Sequence, residues 1–274
     1  MLSDMARIFE YRDDDFFCHH SRDEHPLPSE FYMHAHERTE VLYFISGDAQ
    51  YLVEGNTYPL HPGDVLLMNP AEGHKLQILS PQPYERKVIH FSPSVLQCID
   101  PNGLLLRPLA DKPLGRRNLY SSEKFQTIYE NFDAKGSDAR IRVHMLITLA
   151  NVLETISSLV PSFAEEDDDA DTLPHRILQY VNENLFDEIS LASVSEKFYL
   201  SQSQLNRIFR DATGTTVGRY IRVKRLLAAR EQILAGQPPA AAGAACGFHD
   251  YSTFFRAYRS KFRRSPSEDA KSIG

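Results

Sequence analysis

Between residues 31 and 91 the apolar positions fall in short runs broken by turn residues. Residues 41–45, 50–53, 57–60, 65–68, 76–79 and 86–91 read as strands. Gly55-Asn56 is a two-residue hairpin signal. Pro62-Gly63-Asp64 makes a turn in which Pro presets one dihedral and Gly frees the next. Strands this closely spaced, with no helix between them, predict a small antiparallel barrel or jelly roll. Residues 1–30 read as a polar arm broken by Pro26 and Pro28, with Phe16 and Phe17 as its anchors. Residues 92–120 contain Pro93, Pro101, Pro108 and Pro113, show no periodicity, and read as loops over the barrel.

The period changes at residue 121. Residues 121–132 predict a helix with Ser121 or Ser122 as cap and Phe125, Ile128, Tyr129 and Phe132 as its stripe. Residues 138–159 predict a longer one, with Ile141, Met145, Leu149, Val152 and Ile156 in line, flanked by Leu146, Leu153 and Leu159. That is more apolar surface than an isolated helix carries. Packing under the barrel would absorb it; pairing with a second copy is the sharper expectation. From Thr172 onward the chain reads as all helix. Ile177, Leu178, Val181 and Leu185 form one stripe; Leu191, Val194 and Phe198 form the next, followed by a turn at Tyr199-Leu200. Residues 217–235 read as one helix bearing Arg219, Arg222, Lys224, Arg225 and Arg230.

Within 190–266 a short pattern is written twice, 49 residues apart. Ser201-Gln202-Ser203-Gln204-Leu205-Asn206-Arg207-Ile208-Phe209-Arg210 lies over Asp250-Tyr251-Ser252-Thr253-Phe254-Phe255-Arg256-Ala257-Tyr258-Arg259. Ser201 and Asp250 are good helix N-caps. Leu205, Ile208, Phe209 and Ala212 make a buried stripe, as do Phe254, Ala257, Tyr258 and Phe262. The opposite faces carry groups that reach base edges and phosphates. A lone copy reads equally well as a solvated surface helix. Two copies in register, joined by one long helical stretch, the first behind a short amphipathic helix, follow helix-turn-helix grammar.

Charge sharpens this picture. The 274-residue chain has net charge −7, against nucleic-acid binding at first sight. Residues 172–274, however, hold 15 Lys and Arg against 9 Asp and Glu, and residues 1–171 hold 15 against 28. A basic half and an acidic half are expected to have different partners. Residues 165–171 are nearly all acidic and read as an extended, self-repelling linker. No apolar run approaches a membrane span, and no secretory signal opens the chain. Cys18, Cys98 and Cys246 are scattered and read as free cytosolic thiols, so a cytoplasmic location is expected.

Residues 173–270 resemble the DNA-binding domain of the AraC/XylS family of bacterial transcription regulators. The resemblance rests on the doubled pattern, Gly214, Arg225-Leu226, Ala228-Ala229, Gly247-Phe248 and Ser265-Pro266. It implies base reading by Ser203, Asn206 and Arg207, and by Tyr251, Ser252, Phe255 and Arg256. Ser201, Gln202, Arg210 and Arg259 complete the candidate DNA surface. The arginines suit guanine, Asn206 suits adenine, and Phe255 suits a thymine methyl. The resemblance also implies a ligand-responsive homodimer that acts with RNA polymerase, activating genes for use of a sugar or related metabolite. Two departures stand out. Ala242 and Gly243 occupy positions where the family has Ile and Ala, and Arg263 replaces a family Gly. A core Ala in place of a large aliphatic forfeits about 2–5 kcal/mol unless the space is refilled. A left-handed Arg costs roughly 1–2 kcal/mol. The second unit is therefore expected to be the looser one.

In the barrel region, His34, His36 and Glu40 stand at i, i+2 and i+6, on one face of an extended strand, and His74 follows. With Gly47, Gly63 and Pro70 this resembles the two motifs of cupins, in whose enzymes these four positions hold metal. Three imidazoles and a carboxylate suit Zn, Mn, Fe or Ni. Three uses stay open: a small-molecule pocket needing no metal, a divalent-metal site, or interior hydrogen bonding. The expected class is α+β multidomain. A cupin-like sensor spans 1–120, a helical dimerisation segment 121–163, an acidic linker 164–171, and an all-α DNA-binding domain with two helix-turn-helix units 172–274. No cofactor is required and no catalysis is expected. The rival is a metal-dependent cupin isomerase or dioxygenase with a helical appendage, which leaves the doubled reader and the charge split unexplained.

Overall fold

A computed structural model describes residues 5–110, 112, 115–159 and 172–271. The chain divides into two compact units, one built on antiparallel sheets and one all helical.

The first unit contains β1 (Met5–Arg12), β2 (Phe16–Asp23), β3 (Thr39–Ser46), β4 (Ala49–Val53), β5 (Asn56–Pro59), β6 (Val65–Met68), β7 (His74–Ile78), β8 (Tyr84–Phe91) and β9 (Leu119–Tyr120). One sheet has the order β1-β2-β8-β3-β6-β9, the other β5-β4-β7, and every pairing is antiparallel. Alternation sorts the side chains of the larger sheet. Leu42, Phe44, Leu66, Met68, Tyr84 and Val88 face the smaller sheet and make the barrel interior. Val41, Tyr43, Val65, Leu67, Ile89 and Phe91 face the other way, into a second core.

Helices cover that outer face. The short α1 (Arg107–Ala110) follows two 3-10 turns in the expected loop region. Next comes α2 (Glu123–Tyr129), whose Ser122 cap accepts the Lys124 N–H at 3.3 Å. α3 (Asp138–Leu159) places Met145, Leu149, Val152, Leu153 and Ile156 in the core against the sheet. The stripe is thus buried within the chain, as packing under the barrel would have it. Only Val143 and Ile147, 57% and 55% exposed, are large apolar residues turned outward from α3.

Three readings need correcting. The expected polar arm is two strands. Tyr11, Phe16 and Cys18 are buried, but β1 is an edge strand with a solvated face, so Arg7, Glu10 and Arg12 mask the alternation. The hairpin turn is Glu54-Gly55, one residue earlier than read, with φ +47° and +86° and Val53 paired to Asn56. Glu54 holds its left-handed backbone while its carboxylate accepts the Gly73 N–H at 2.5 Å. Finally, His34 and His36 precede β3 rather than sharing a strand with Glu40; His34 is joined to His74 by an isolated bridge. The acidic linker lies outside the described residues.

The second unit contains α4 (Leu173–Glu183), α5 (Leu191–Lys197), α6 (Gln202–Thr213), α7 (Val217–Leu234), α8 (Pro239–Ala245), α9 (Tyr251–Phe262) and α10 (Pro266–Lys271). It has two cores. Val194, Leu205, Phe209 and Tyr220 belong to the first; Leu226, Ile233, Phe254 and Tyr258 belong to the second. α7 contributes its first half to one and its second half to the other. The expected looseness of the second core has a physical answer. The Phe254 ring fills the room above α8: a Cβ on Gly243 would stand 2.9 Å from it. Buried Asp269 then ties α7, α9 and α10, accepting from Arg230 at 2.6 Å and Tyr258 at 2.7 Å, with Arg264 in an ion pair at 3.0 Å.

Candidate functional site

The doubled pattern folds as two matched helices. α6 and α9 each have 12 residues. Ser201 caps α6 in a capping box with Gln204, and Asp250 caps α9 by accepting the Thr253 N–H at 2.6 Å. Both end on a left-handed residue, Gly214 at φ +74° and Arg263 at φ +60°. Every position from cap to cap is therefore equivalent. Leu205 and Phe209 are buried in one, Phe254 and Tyr258 in the other. Burial of these backs forces the fronts outward. Gln202, Ser203, Arg207 and Arg210 are exposed, as are Tyr251, Ser252, Arg256 and Arg259. Phe255 is half-buried beside Tyr251, with ring centroids 6.3 Å apart.

Two predicted residues are already engaged. Ser201 donates to Gln204 Oε1 at 2.8 Å and accepts the Gln204 N–H, so it works as a cap. Asn206 Oδ1 accepts the Val217 N–H at 3.3 Å, at the start of α7. Bidentate adenine reading uses both ends of the amide, so Asn206 would have to release α7 to perform it.

The second candidate is a cavity of about 290 Å³ in the barrel. β8 turns Arg86, Val88 and His90 into it; β3 adds Glu40, β2 adds His19, and the segment before β3 adds Phe31 and His34. Glu40 pairs in register with His90, and its Oε2 lies 3.6 Å from His90 Nδ1 and 3.5 Å from His74 Nε2. His34 donates from Nδ1 to the Tyr32 carbonyl at 3.0 Å, and His74 from Nδ1 to the Glu72 carbonyl at 2.9 Å. In the neutral form of either ring this leaves Nε2 as the lone-pair nitrogen. The ligand atoms of His34, His36, Glu40 and His74 all lie within 4.8 Å of one another. This donor set fits a divalent ion of zinc-like character. Against burial, which opposes protonation, the Glu40 carboxylate raises the pKa of His74. Burial and the nearby Arg86 and Arg7 lower that of His19 to about 2, leaving a neutral ring.

Sequence reading missed Arg86, His90 and His19 as cavity residues. The signal was present in β8, where the inward positions Arg86 and His90 interrupt an apolar alternation.

The arrangement defines a two-part regulator: a barrel with a polar cavity, and a doubled helix-turn-helix. A family model described as an AraC-like ligand binding domain matches residues 17–141, and one described as a helix-turn-helix domain matches 194–272. The probable transcriptional regulator LumQ of Photobacterium leiognathi is 35% identical over 89 residues, 32% of this chain and 36% of LumQ. The match thus spans about a third of that relative's length. Regulatory protein SoxS of Salmonella typhimurium is 31% identical over 93 residues, covering 34% of this chain and 87% of SoxS. Among solved structures, ToxT from Vibrio cholerae aligns over 94% of this chain and 98% of its own, at 16% identity and TM-score 0.38. The chain belongs to the AraC family: it is a DNA-binding transcriptional regulator with a ligand-binding domain, and the enzyme reading falls. No helix among the described residues is long and apolar enough to cross a membrane.

Proposed function

We propose that this regulator reads two adjacent DNA half-sites with α6 and α9, under control of a small metabolite of sugar size bound in the barrel, and activates transcription with RNA polymerase in the cytoplasm. The observation that carries the reading is the equivalence of the two helices, with Arg207 and Arg256 exposed at the same distance from their caps. Phosphate contacts would supply affinity and the two arginines would supply choice of base. Selection of bound duplexes from a random pool tests this. The full chain should enrich two short motifs about one helical turn apart. Arg207→Ala should weaken binding by roughly 1–3 kcal/mol and relax preference at one base pair. An unchanged motif would refute the assignment of Arg207.

The outward Val143 and Ile147 support pairing of two copies along α3. Sedimentation as a strict monomer at micromolar concentration would remove it. The orientation of His34 and His74 supports a divalent ion on His34, His36, Glu40 and His74. Elemental analysis of protein purified without added metal, alongside Glu40→Gln, tests that occupancy.

A further inference from the structure

We propose that the barrel cavity takes a small hydroxylated carboxylate, a sugar acid in size and chemistry, with its carboxylate on Arg86. This rests on the ligand-sensing reading above. Arg86 lies on β8 and points inward by strand alternation with Tyr84, Val88 and His90. Its guanidinium stacks on the Tyr84 ring, 5.0 Å from the centroid, and its Nη1 is buried without a hydrogen-bond partner in the structure. No carboxylate among the described residues makes an ion pair with Arg86; of the two acidic residues lining the cavity, Glu40 directs Oε2 to His74 and His90, and Glu30 is not paired with Arg86. A guanidinium nitrogen buried without a hydrogen-bond partner is unfavourable for the fold by itself. A planar fork that meets a carboxylate with two parallel bonds is its natural complement. The remaining lining suits hydroxyls and a ring face: Tyr51, His19 and His90 as polar groups, Phe31 and Leu76 as apolar ones. At about 290 Å³ the space admits only a small ligand.

Thermal shift and calorimetry on the full chain test this, with D-galacturonate, D-gluconate and acetate as probes and D-galactose as the neutral counterpart. At least one acid should bind saturably, with D-galactose at least tenfold weaker. Arg86→Gln should cost the acid at least tenfold in affinity, and Arg86→Lys should restore part of it. Without ligand, Arg86→Gln should unfold no earlier than the parent, because no ion pair is lost. D-galactose binding as well as the acids would overturn the carboxylate assignment and leave the sensing reading standing. Acid binding that survives Arg86→Gln would also overturn it. If no probe, acid or neutral, shifts the protein, both readings fall.

A different observation carries a second inference: the geometry points to Arg225 as the positioning residue that sets the spacing of the two readers. Arg225 sits on α7 between its two cores. Its Nε donates to Leu185 O and its Nη2 to Asp187 O, both at 2.7 Å, in the loop that follows α4. Its Nη1 donates to Gly247 O at 2.7 Å, in the turn that leads into α9. One rigid guanidinium thus bolts the loop before the first helix-turn-helix to the turn of the second, within the helical unit. Gly247 lets it in: at φ +79°, a Cβ there would stand 2.8 Å from Arg225 Cζ and 3.0 Å from Phe186 O.

Duplex selection with the full chain reads spacing directly. The parent should enrich two motifs at one fixed separation. Arg225→Gln should enrich the same motifs over several separations and bind the fixed-spacing duplex at least tenfold more weakly. Its affinity for a duplex carrying one motif should stay within twofold. Gly247→Ala, which displaces the guanidinium from the other side, should produce the same spread. A single separation retained in both variants, or equal loss on one-motif duplexes, would overturn the role of Arg225. A parent that enriches one motif alone would instead overturn the two-reader function.

Discussion

Gly243 offers a sharp test of how the second helix-turn-helix is packed. In an open helix interior, Gly→Ala stabilises by about 1 kcal/mol, because the unfolded chain loses freedom and the helix gains a methyl. Here the new Cβ would meet Phe254 at 2.9 Å on Cδ1, 3.1 Å on Cγ and 3.2 Å on Cε1. The ring has little room to withdraw: it is fully buried, with Phe248 at 5.1 Å and Tyr258 at 5.4 Å between centroids. Overpacking of this kind costs about 1–3 kcal/mol. Subtracting the helical gain leaves a net loss of about 1 kcal/mol for Gly243→Ala, roughly a fivefold rise in local opening. Hydrogen exchange of amides in α8 and α9 of the full chain should be faster by about that factor. Gly218, in the first turn of α7, has nothing within 4 Å of its would-be Cβ. Gly218→Ala should therefore slow exchange in α7, a stabilisation of about 0.5–1 kcal/mol. Phe254→Leu should relieve Gly243→Ala, since the two sites touch and must couple. Slower exchange in α8 and α9 after Gly243→Ala would refute the close-approach argument and restore the view of Gly243 as a simple helix defect.

Three further outcomes are expected. Arg263 ends α9 at φ +60°, so Arg263→Gly should stabilise the second helix-turn-helix by about 1 kcal/mol, read as a higher thermal midpoint. Glu72 is buried and accepts Lys112 Nζ at 2.5 Å, the Gly115 N–H at 2.9 Å, Asn118 Nδ2 at 3.0 Å and the Asn69 N–H at 2.7 Å. Glu72→Ala strips Lys112 of that carboxylate and should cost about 3–5 kcal/mol in urea titration of the first unit. His19 is neutral in the fold, with its pKa lowered to about 2, mainly by burial. Between pH 2 and its unfolded value near 6.5, the unfolded chain binds the extra proton, so stability falls as pH falls. Acidification from pH 6.5 to 5 should remove about 2 kcal/mol through this residue, and His19→Gln should flatten that part of the profile.

What the sequence alone makes legible is local. Ser201 and Asp250 begin helices because their side chains accept the N–H three residues on, and that geometry needs no distant partner. The stripes of α3, α6 and α9 follow from 3.6-residue spacing, and the strand alternation from two-residue spacing. For the same reason the sequence placed the arginines of α6 and α9 on the face opposite the buried residues.

Partnership was beyond its reach. The stripe of α3 is equally suited to a sheet or to a second copy, and only the packing beneath the barrel assigned it to the sheet. Asn206 carries the same amide whether it faces a base or holds Val217; the position of α7 decided. Gly243 reads as a cost until Phe254, 11 residues later, is seen to occupy the space a methyl would need. Arg86 reads as an ordinary strand residue until the barrel closes around it without a carboxylate in ion-pair contact. Backbone periodicity and capping act over a few residues, so the sequence determined them. Which surfaces meet depends on segments far apart in the chain, and the tertiary structure alone brought those together.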